Sequence, residues 1–301
     1  MSLKRIFKFA KPKNPGYGIT KNFYLSVLAG HAQLPSPDEI ANPQGARGAV
    51  EGFLAPLMSG STKDDLQKPL ARGVYALASK DRKTVIKMMV VSREEAGFDT
   101  EAIAKSRFAL EMTPEALARV RATWTLIQLT FESHDALVAP AMSFAYAAAK
   151  KMAELTEGVV ADAVAQRYLL PEDLPNIALD QSLVAGDHVS IQIIEREGKR
   201  IAYTLGLQKF GLTEFELQNF DAAHDNSAAA FLLSIAQTSL NGTKIQIGDS
   251  VGAKSVSLDV APGGLDQGLW QGVSCAELIP SRSKSVPECL DAWVLEMKRA
   301  S

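Results

Sequence analysis

The sequence has few of the residues that build covalent cross-links and metal sites. Its 301 residues include two cysteines, three tryptophans and four histidines. Cys275 and Cys289 are too few for a disulfide framework, and their spacing does not match that of zinc ligands. We therefore expect two reduced thiols, as is usual in the cytoplasm.

Long apolar segments are also missing. No uncharged apolar run is long enough to span a bilayer. The apolar residues near the start, from Ile6 to Ala10, are interrupted by Lys8, so they do not form the apolar core of a secretory signal. These absences predict a cytoplasmic protein.

The short motifs of several enzyme classes are absent as well. The chain contains no phosphate-binding loop, no dinucleotide fingerprint, no Gly-x-Ser-x-Gly nucleophile turn and no His-Glu-x-x-His zinc motif. The sequence therefore predicts no cofactor, and it favours a function other than catalysis.

Acidic and basic residues nearly balance over the whole chain, but they are unevenly distributed. The net charge is −2, from 32 basic and 34 acidic side chains. Residues 1–13 hold five basic residues and no acidic residue, which leaves 27 basic and 34 acidic residues in the remainder. Because phosphate binding needs a basic face, the acidic remainder argues against nucleic acid as the main partner. Contact of the basic start with an anionic membrane stays open as a hypothesis.

Local patterns indicate both strands and helices. Hairpins are predicted where apolar runs flank charged turns, at 74–91 and 188–207. Helices are predicted at three segments, 135–157, 225–240 and 290–297. A further helix is expected to begin at Thr113-Pro114, and Gly158 is expected to end the first long helix in the left-handed conformation. Together these elements predict an α+β fold with antiparallel or mixed sheets, each covered by a long helix.

The order of the elements suggests three segments. Residues 1–70, rich in proline and glycine, are predicted to be an irregular lead-in with a basic start. Residues 71–170 and 171–301 are predicted to be two α+β lobes. Both lobes contain a hairpin, a His-Asp dipeptide, a helix and a strand in that order, so two copies of a duplicated unit are one interpretation. Chance similarity of element order is the other.

Histidines next to aspartates are the clearest candidates for catalytic chemistry. Three segments have this pairing, His134-Asp135, Asp187-His188 and His224-Asp225. If they converge in space, they supply the groups that a metal-dependent or acid–base hydrolase needs. In the other interpretation Asp135 and Asp225 stabilise helix N-termini, where a carboxylate accepts backbone amides.

Three further residues are candidates for binding. Arg167 and Tyr168 stand at the end of a predicted strand, where they would bind an anion or a partner, unless the arginine lies along apolar surface. Trp270 lies in a glycine-rich loop. An exposed tryptophan there would anchor a partner protein, and burial against the last strand is the alternative.

Two stretches carry a family resemblance. The segment Trp124–Phe131, the alanine-rich helix after it and the turn and strand Glu157–Asp162 resemble an uncharacterised bacterial domain family, and Lys209–Leu217 is similar to another part of it. The resemblance covers about a third of the chain. It implies a bacterial cytoplasmic α+β protein and supplies no catalytic residues.

From these observations the sequence predicts a protein-binding function. The leading hypothesis is a non-catalytic adaptor or immunity-type factor whose partner is another protein. The alternative is a hydrolase that uses the histidine–aspartate pairs.

Overall fold

The computed structural model describes most of the chain in two compact units. It describes residues 15–21, 23–41, 53–54, 66–79, 81–133, 137–179, 182–253, 256–270, 272–281 and 284–300. The described part of the first unit lies within Lys21–Gln181, and the second unit combines Pro15–Thr20 with Ser182–Ser301. Each unit has a sheet and helices, so the fold class is α+β as predicted. Among the described residues, no helix is both long and apolar enough to cross a membrane.

The described strands of the first unit form one seven-stranded sheet. They are β1 (Tyr24–Ala29), β2 (Phe53–Leu54), β3 (Gly73–Ser79), β4 (Thr84–Ser92), β5 (Thr125–Ser133), β6 (Val159–Asp162) and β7 (Arg167–Leu169). In space they follow the order β2-β3-β4-β5-β1-β6-β7, and every neighbouring pair is antiparallel. Strand β1 comes from the segment that the sequence predicts as a lead-in, and it lies between β5 and β6 inside the sheet.

One long helix covers one face of this sheet. The α-helices whose bounds the structure describes in this unit are α1 (Pro37–Ala41), α2 (Thr100–Ala104), α3 (Pro114–Arg121) and α4 (Val138–Leu155). Helix α4 packs across β1, β5 and β6. Beneath it Leu25, Val27, Ile127 and Leu129 are fully buried. Because α4 is rich in alanine, its backbone comes close to the sheet, and this packing forms the core of the unit.

The start of α3 and the end of α4 test two local predictions. Thr113 caps α3 as predicted, since its hydroxyl accepts the amide of Ala116 at 3.1 Å. The prediction for Gly158 is wrong, because Glu157 takes the left-handed conformation with φ of 49°. Gly158 is needed for a different reason: a Cβ there would lie 2.5 Å from the carbonyl oxygen of Leu28 on β1.

The described strands of the second unit form a six-stranded mixed sheet. They are β8 (Ser190–Arg196), β9 (Lys199–Leu205), β10 (Glu214–Phe220), β11 (Ser250–Ala253), β12 (Val256–Pro262) and β13 (Cys275–Pro280). Their spatial order is β11-β12-β13-β10-β9-β8. Strands β10 and β13 are parallel, and the other neighbours are antiparallel.

Two long helices pack on this second sheet. The helices of the unit are α5 (Ala185–His188), α6 (Asp225–Leu240), α7 (Gln267–Trp270) and α8 (Val286–Ala300). Helix α6 packs against β8, β9 and β10, and α8 packs against β10, β12 and β13. The rings of Phe231 and Trp293 join the two helices edge to face, with centroids 5.4 Å apart.

The two units share part of their topology. In each, three sequential antiparallel strands precede a long helix, namely β3, β4 and β5 before α4 and β8, β9 and β10 before α6. Beyond that point they differ, because the next strand in space is the antiparallel β1 beside β5 and the parallel β13 beside β10. Duplication therefore stays a prediction.

Candidate functional site

The first unit contains a pocket on the sheet face opposite α4, which we call the sheet-face pocket. Its volume is about 480 Å³. Six strand residues that line its floor are Ser26, Leu28, Met89, Leu126, Gln128 and Ala161. Four aromatic residues also line it, namely Tyr24, Phe98, Phe108 and Tyr168. The pocket is therefore mostly apolar and aromatic.

The strand register explains why the sheet surface is hollow here. Met89, Gln128, Ser26, Ala161 and Tyr168 form one row across five adjacent strands, each directly opposite the next. With about 4.8 Å between strands, the row spans roughly 19 Å. Ser26 and Ala161 have small side chains, and larger side chains flank them in the row. The surface of the sheet is therefore depressed between the two ends of the row.

The connection between β4 and β5 supplies one wall of the pocket. Phe108 lies near Tyr168, with ring centroids 6.5 Å apart and planes tilted by 52°. The guanidinium of Arg107 lies 5.2 Å from the Phe108 ring centroid and donates a 2.9 Å hydrogen bond to Gln166. These contacts hold the aromatic wall in place beside the floor.

Four polar side chains line the pocket without a hydrogen-bond partner. Among the residues that the structure describes, the side chains of Tyr24, Ser26, Gln128 and Tyr168 make no hydrogen bond to another residue. Burial raises the pKa of Tyr168, and the neighbouring Tyr24 raises it further. The Tyr168 hydroxyl therefore keeps its proton at neutral pH and can donate. These groups form hydrogen bonds only with water or with a ligand.

Charged groups near the pocket are engaged by other protein groups. Asp162 is fully buried, and it accepts the amide of Ala165 at 3.0 Å and the hydroxyl of Tyr146 at 3.4 Å. At the rim, Glu95 forms a 3.0 Å ion pair with Arg72. The centre of the pocket therefore presents hydroxyls and an amide rather than charges.

No family model, curated protein or solved structure matches this chain. The resemblance to an uncharacterised bacterial family therefore stays a prediction. The assignment of the candidate site rests on its geometry.

The structure places two of the three predicted binding residues at this pocket. Tyr168 lies opposite Ala161 and therefore shares the pocket face. Arg167 lines the pocket too, but it pairs in register with Asp162 in the alternate row. Since side chains alternate between the faces of a strand, its side chain belongs to the other face. Of the two residues, Tyr168 is the one placed to contact a ligand.

Trp270 is not an exposed anchor, and that interpretation is corrected. It is 7% exposed, and its ring packs edge to face on Tyr203 with centroids 5.6 Å apart. Its indole N–H donates a 3.2 Å hydrogen bond to Glu216. The same carboxylate accepts the amides of Gly264 at 2.8 Å and Leu265 at 3.2 Å. Trp270 and Glu216 thus hold the loop that contains Gly264 and Leu265 against the second sheet.

A second buried carboxylate, Glu214, holds another turn of the same unit. It accepts the hydroxyl of Thr204 at 2.6 Å and the amides of Gly206 at 2.8 Å and Gln208 at 3.0 Å. Burial raises its pKa to about 7, and the hydrogen bonds oppose that rise. Because the protein's own turn occupies this carboxylate, we assign it to stability rather than to a site.

The histidine–aspartate pairs of the second unit do not come together. Ala185, at the start of α5, donates its amide to Gln237 near the end of α6 at 2.8 Å. Asp225 is the first residue of α6, twelve residues before Gln237. At 1.5 Å per residue these positions are about 18 Å apart along the helix, so Asp187-His188 and His224-Asp225 lie near opposite ends of it.

Individually these residues have other surroundings. His188 is buried and its ring packs edge to face on Phe210. His224 lies 3.5 Å from Asp291, and Asp225 lies 3.7 Å from Arg200. Asp225 begins α6, as the helix-terminus interpretation predicts, although no side-chain hydrogen bond caps that helix.

The described residues contain no assembled metal site. His134 and Asp135 lie outside the described residues. Within the described ranges, no group of three or more His, Cys, Asp or Glu side chains is placed to hold a metal ion. A second cleft of the first unit, of about 630 Å³, is lined by acidic and basic residues, some of which pair with each other. One such pair is Arg119–Glu115 at 2.7 Å.

Sequence reasoning missed Ser26 and Gln128, the polar floor of the pocket. Each is a polar residue that alternates with apolar ones on a strand, a pattern that predicts exposure to solvent. The missing information was the cross-strand register, which places Ser26 between Gln128 and the small Ala161 in one row of the pocket floor.

Proposed function

We propose that this chain is a non-catalytic binding protein whose sheet-face pocket binds a small, mostly apolar molecule. The observation that carries the proposal is the set of four polar side chains that line an aromatic pocket without hydrogen-bond partners among the described residues. Pockets for small molecules have volumes of about 300–1,000 Å³ and combine apolar walls with a few convergent polar groups. Hydroxyls and an amide suit recognition by hydrogen bonding rather than proton transfer at neutral pH.

Nile red, an uncharged planar dye whose fluorescence increases in apolar surroundings, tests the proposal. We expect each chain to bind one dye molecule saturably, and the increase in dye fluorescence measures this binding. The variant Ser26→Phe fills the centre of the floor and should weaken binding by at least tenfold. Val74→Phe adds the same ring on the same sheet face outside the pocket, at a residue 68% exposed, and should leave binding unchanged.

Two results contradict the proposed function. One is the absence of saturable dye binding to the folded wild-type protein. The other is equal binding by wild type and Ser26→Phe, which would place the dye elsewhere. Circular dichroism of both variants shows whether each one is folded.

A second candidate is the protein-binding function predicted from the sequence. Val74 on β3 and Met89 on β4 lie directly opposite each other and are 68% and 41% exposed. Methionine is enriched at the surfaces through which proteins bind each other. Val184, which is 52% exposed on the second unit, serves as the control. A partner protein that copurifies with the wild type in equal amount, is lost with Val74→Glu and is retained with Val184→Glu would support this function. Cytoplasmic location and bacterial origin stay predictions.

A further inference from the structure

The polar groups of the sheet-face pocket specify more than an apolar ligand. Resting on the function proposed above, we propose that the ligand is an uncharged planar ring system with a hydrogen-bond donor beside an acceptor on one edge. Gln128 is the residue that recognises that edge.

The floor presents an amide and a hydroxyl side by side. Gln128 on β5 lies directly opposite Ser26 on β1. A glutamine side chain offers a carbonyl acceptor and an NH₂ donor in one plane, so it pairs best with a ligand edge that carries a donor next to an acceptor. The Ser26 hydroxyl, about 5 Å away across the strands, can donate or accept a third hydrogen bond.

The charged residues that line the pocket are paired or belong to the other row. Glu95 pairs with Arg72, and Arg167 lies opposite Asp162 in the row that faces away from the pocket. Asp162 belongs to the row that faces α4, where it accepts two hydrogen bonds. A charged ligand group at the centre of the floor would lose its hydration without gaining an opposite charge, which is costly. The pocket therefore favours an uncharged ligand.

The walls favour a flat ligand. Phe108 and Tyr168 stand side by side at one end of the row. Tyr24 lies two residues before Ser26 on β1, so its side chain is on the same face and also lines the pocket. Aromatic side chains pack against ligand rings by offset stacking or edge-to-face contact, and both arrangements need a planar partner. A ring system with its polar edge toward Gln128 would place its apolar body between these side chains.

Competition with Nile red tests the inference with three two-ring compounds of similar size. 2-Quinolinone is uncharged and carries an N–H beside a carbonyl, naphthalene has no polar edge, and 2-naphthoate is charged. We expect 2-quinolinone to displace the dye at least tenfold more effectively than either of the others, since a two-point hydrogen bond gives discrimination of that order.

The variant Gln128→Leu separates recognition of the edge from binding itself. In this variant the ratio of the inhibition constants of naphthalene and 2-quinolinone, which does not depend on the variant's own affinity for Nile red, should fall from at least ten to about one. Gln246→Leu makes the same change at an exposed residue of the second unit and should keep the preference.

The outcomes distinguish this inference from the proposed function. If Ser26→Phe weakens dye binding but all three compounds displace the dye equally, the inference is overturned and the proposed function stands. Stronger displacement by 2-naphthoate also overturns the inference. If Gln128→Leu keeps the preference for 2-quinolinone, a residue other than Gln128 recognises the polar edge of the ligand, and the inference is overturned as well. Absence of saturable dye binding overturns both.

Discussion

Gln128 and Ser26 lie directly opposite each other on β5 and β1, and neither side chain has a hydrogen-bond partner among the described residues. Folded proteins pair most of their buried polar groups. Ser26 and Gln128 are partly buried without such pairing, which costs some stability.

This cost predicts that Gln128→Leu stabilises the protein. The change replaces a half-buried, unpartnered amide with an apolar side chain of similar size, so the free energy of unfolding should rise by about 0.5–2 kcal/mol. Urea denaturation followed by circular dichroism measures it. Gln246→Leu, at an exposed position, should stay within about 0.5 kcal/mol of the wild type. A loss of stability in Gln128→Leu would show that the amide is paired within the fold.

Trp270 and Glu216 predict a stability effect in the second unit. Trp270→Phe removes the indole N–H that donates to the buried carboxylate, and it should lower the free energy of unfolding by about 1.5–3 kcal/mol. Trp124→Phe is the matched control, because Trp124 is 60% exposed, and it should change stability by less than about 0.5 kcal/mol. Equal effects of the two substitutions would contradict the role given to Trp270.

Glu214 predicts a pH dependence of stability. Its pKa in the folded protein is about 7, above the ordinary value of 4.5, so between these values the folded state binds a proton more tightly than the unfolded state. The free energy of unfolding should therefore fall as the pH rises from about 4.5 to 7, by up to about 3 kcal/mol.

The variant Glu214→Gln should lose this part of the pH dependence. Urea denaturation at pH 4.5 and pH 8 gives the comparison, with the difference between the two pH values smaller in the variant. Glu277, whose pKa is also raised, is present in both proteins and does not affect the comparison. Parallel stability curves for the two proteins would show that Glu214 does not titrate in this range.

Gly158 predicts a steric effect at the contact between α4 and β1. In Gly158→Ala the new Cβ meets the carbonyl oxygen of Leu28, so the free energy of unfolding should fall by about 1–3 kcal/mol. Gly186→Ala is the control, since a Cβ there has no atom within 4 Å. Thermal unfolding of the two variants measures the difference, and similar melting temperatures would mean that the backbone moves apart at Gly158 without cost.

Much of the helical structure could be predicted because its signals are local. Helix α6 runs from Asp225 to Leu240, as its apolar periodicity and the following Asn-Gly predict, and α4 lies within the predicted 135–157. The capping residue of α3 was also predictable. Helix α8 is longer than expected, Val286–Ala300 rather than 290–297. It begins after a local capping box, in which Glu288 accepts the amide and hydroxyl of Ser285 and donates its own amide to that hydroxyl.

The sequence by itself determined the fold class, the two hairpins and the long helices, since each depends on residues close together in the chain. Tertiary structure alone decided that β1 lies between β5 and β6, that Trp270 is buried on Glu216, and that Ser26 and Gln128 share a pocket floor. Ser26 and Gln128 are about a hundred residues apart in the chain. Their contact depends on strand register, which long-range packing sets and a short sequence window does not contain.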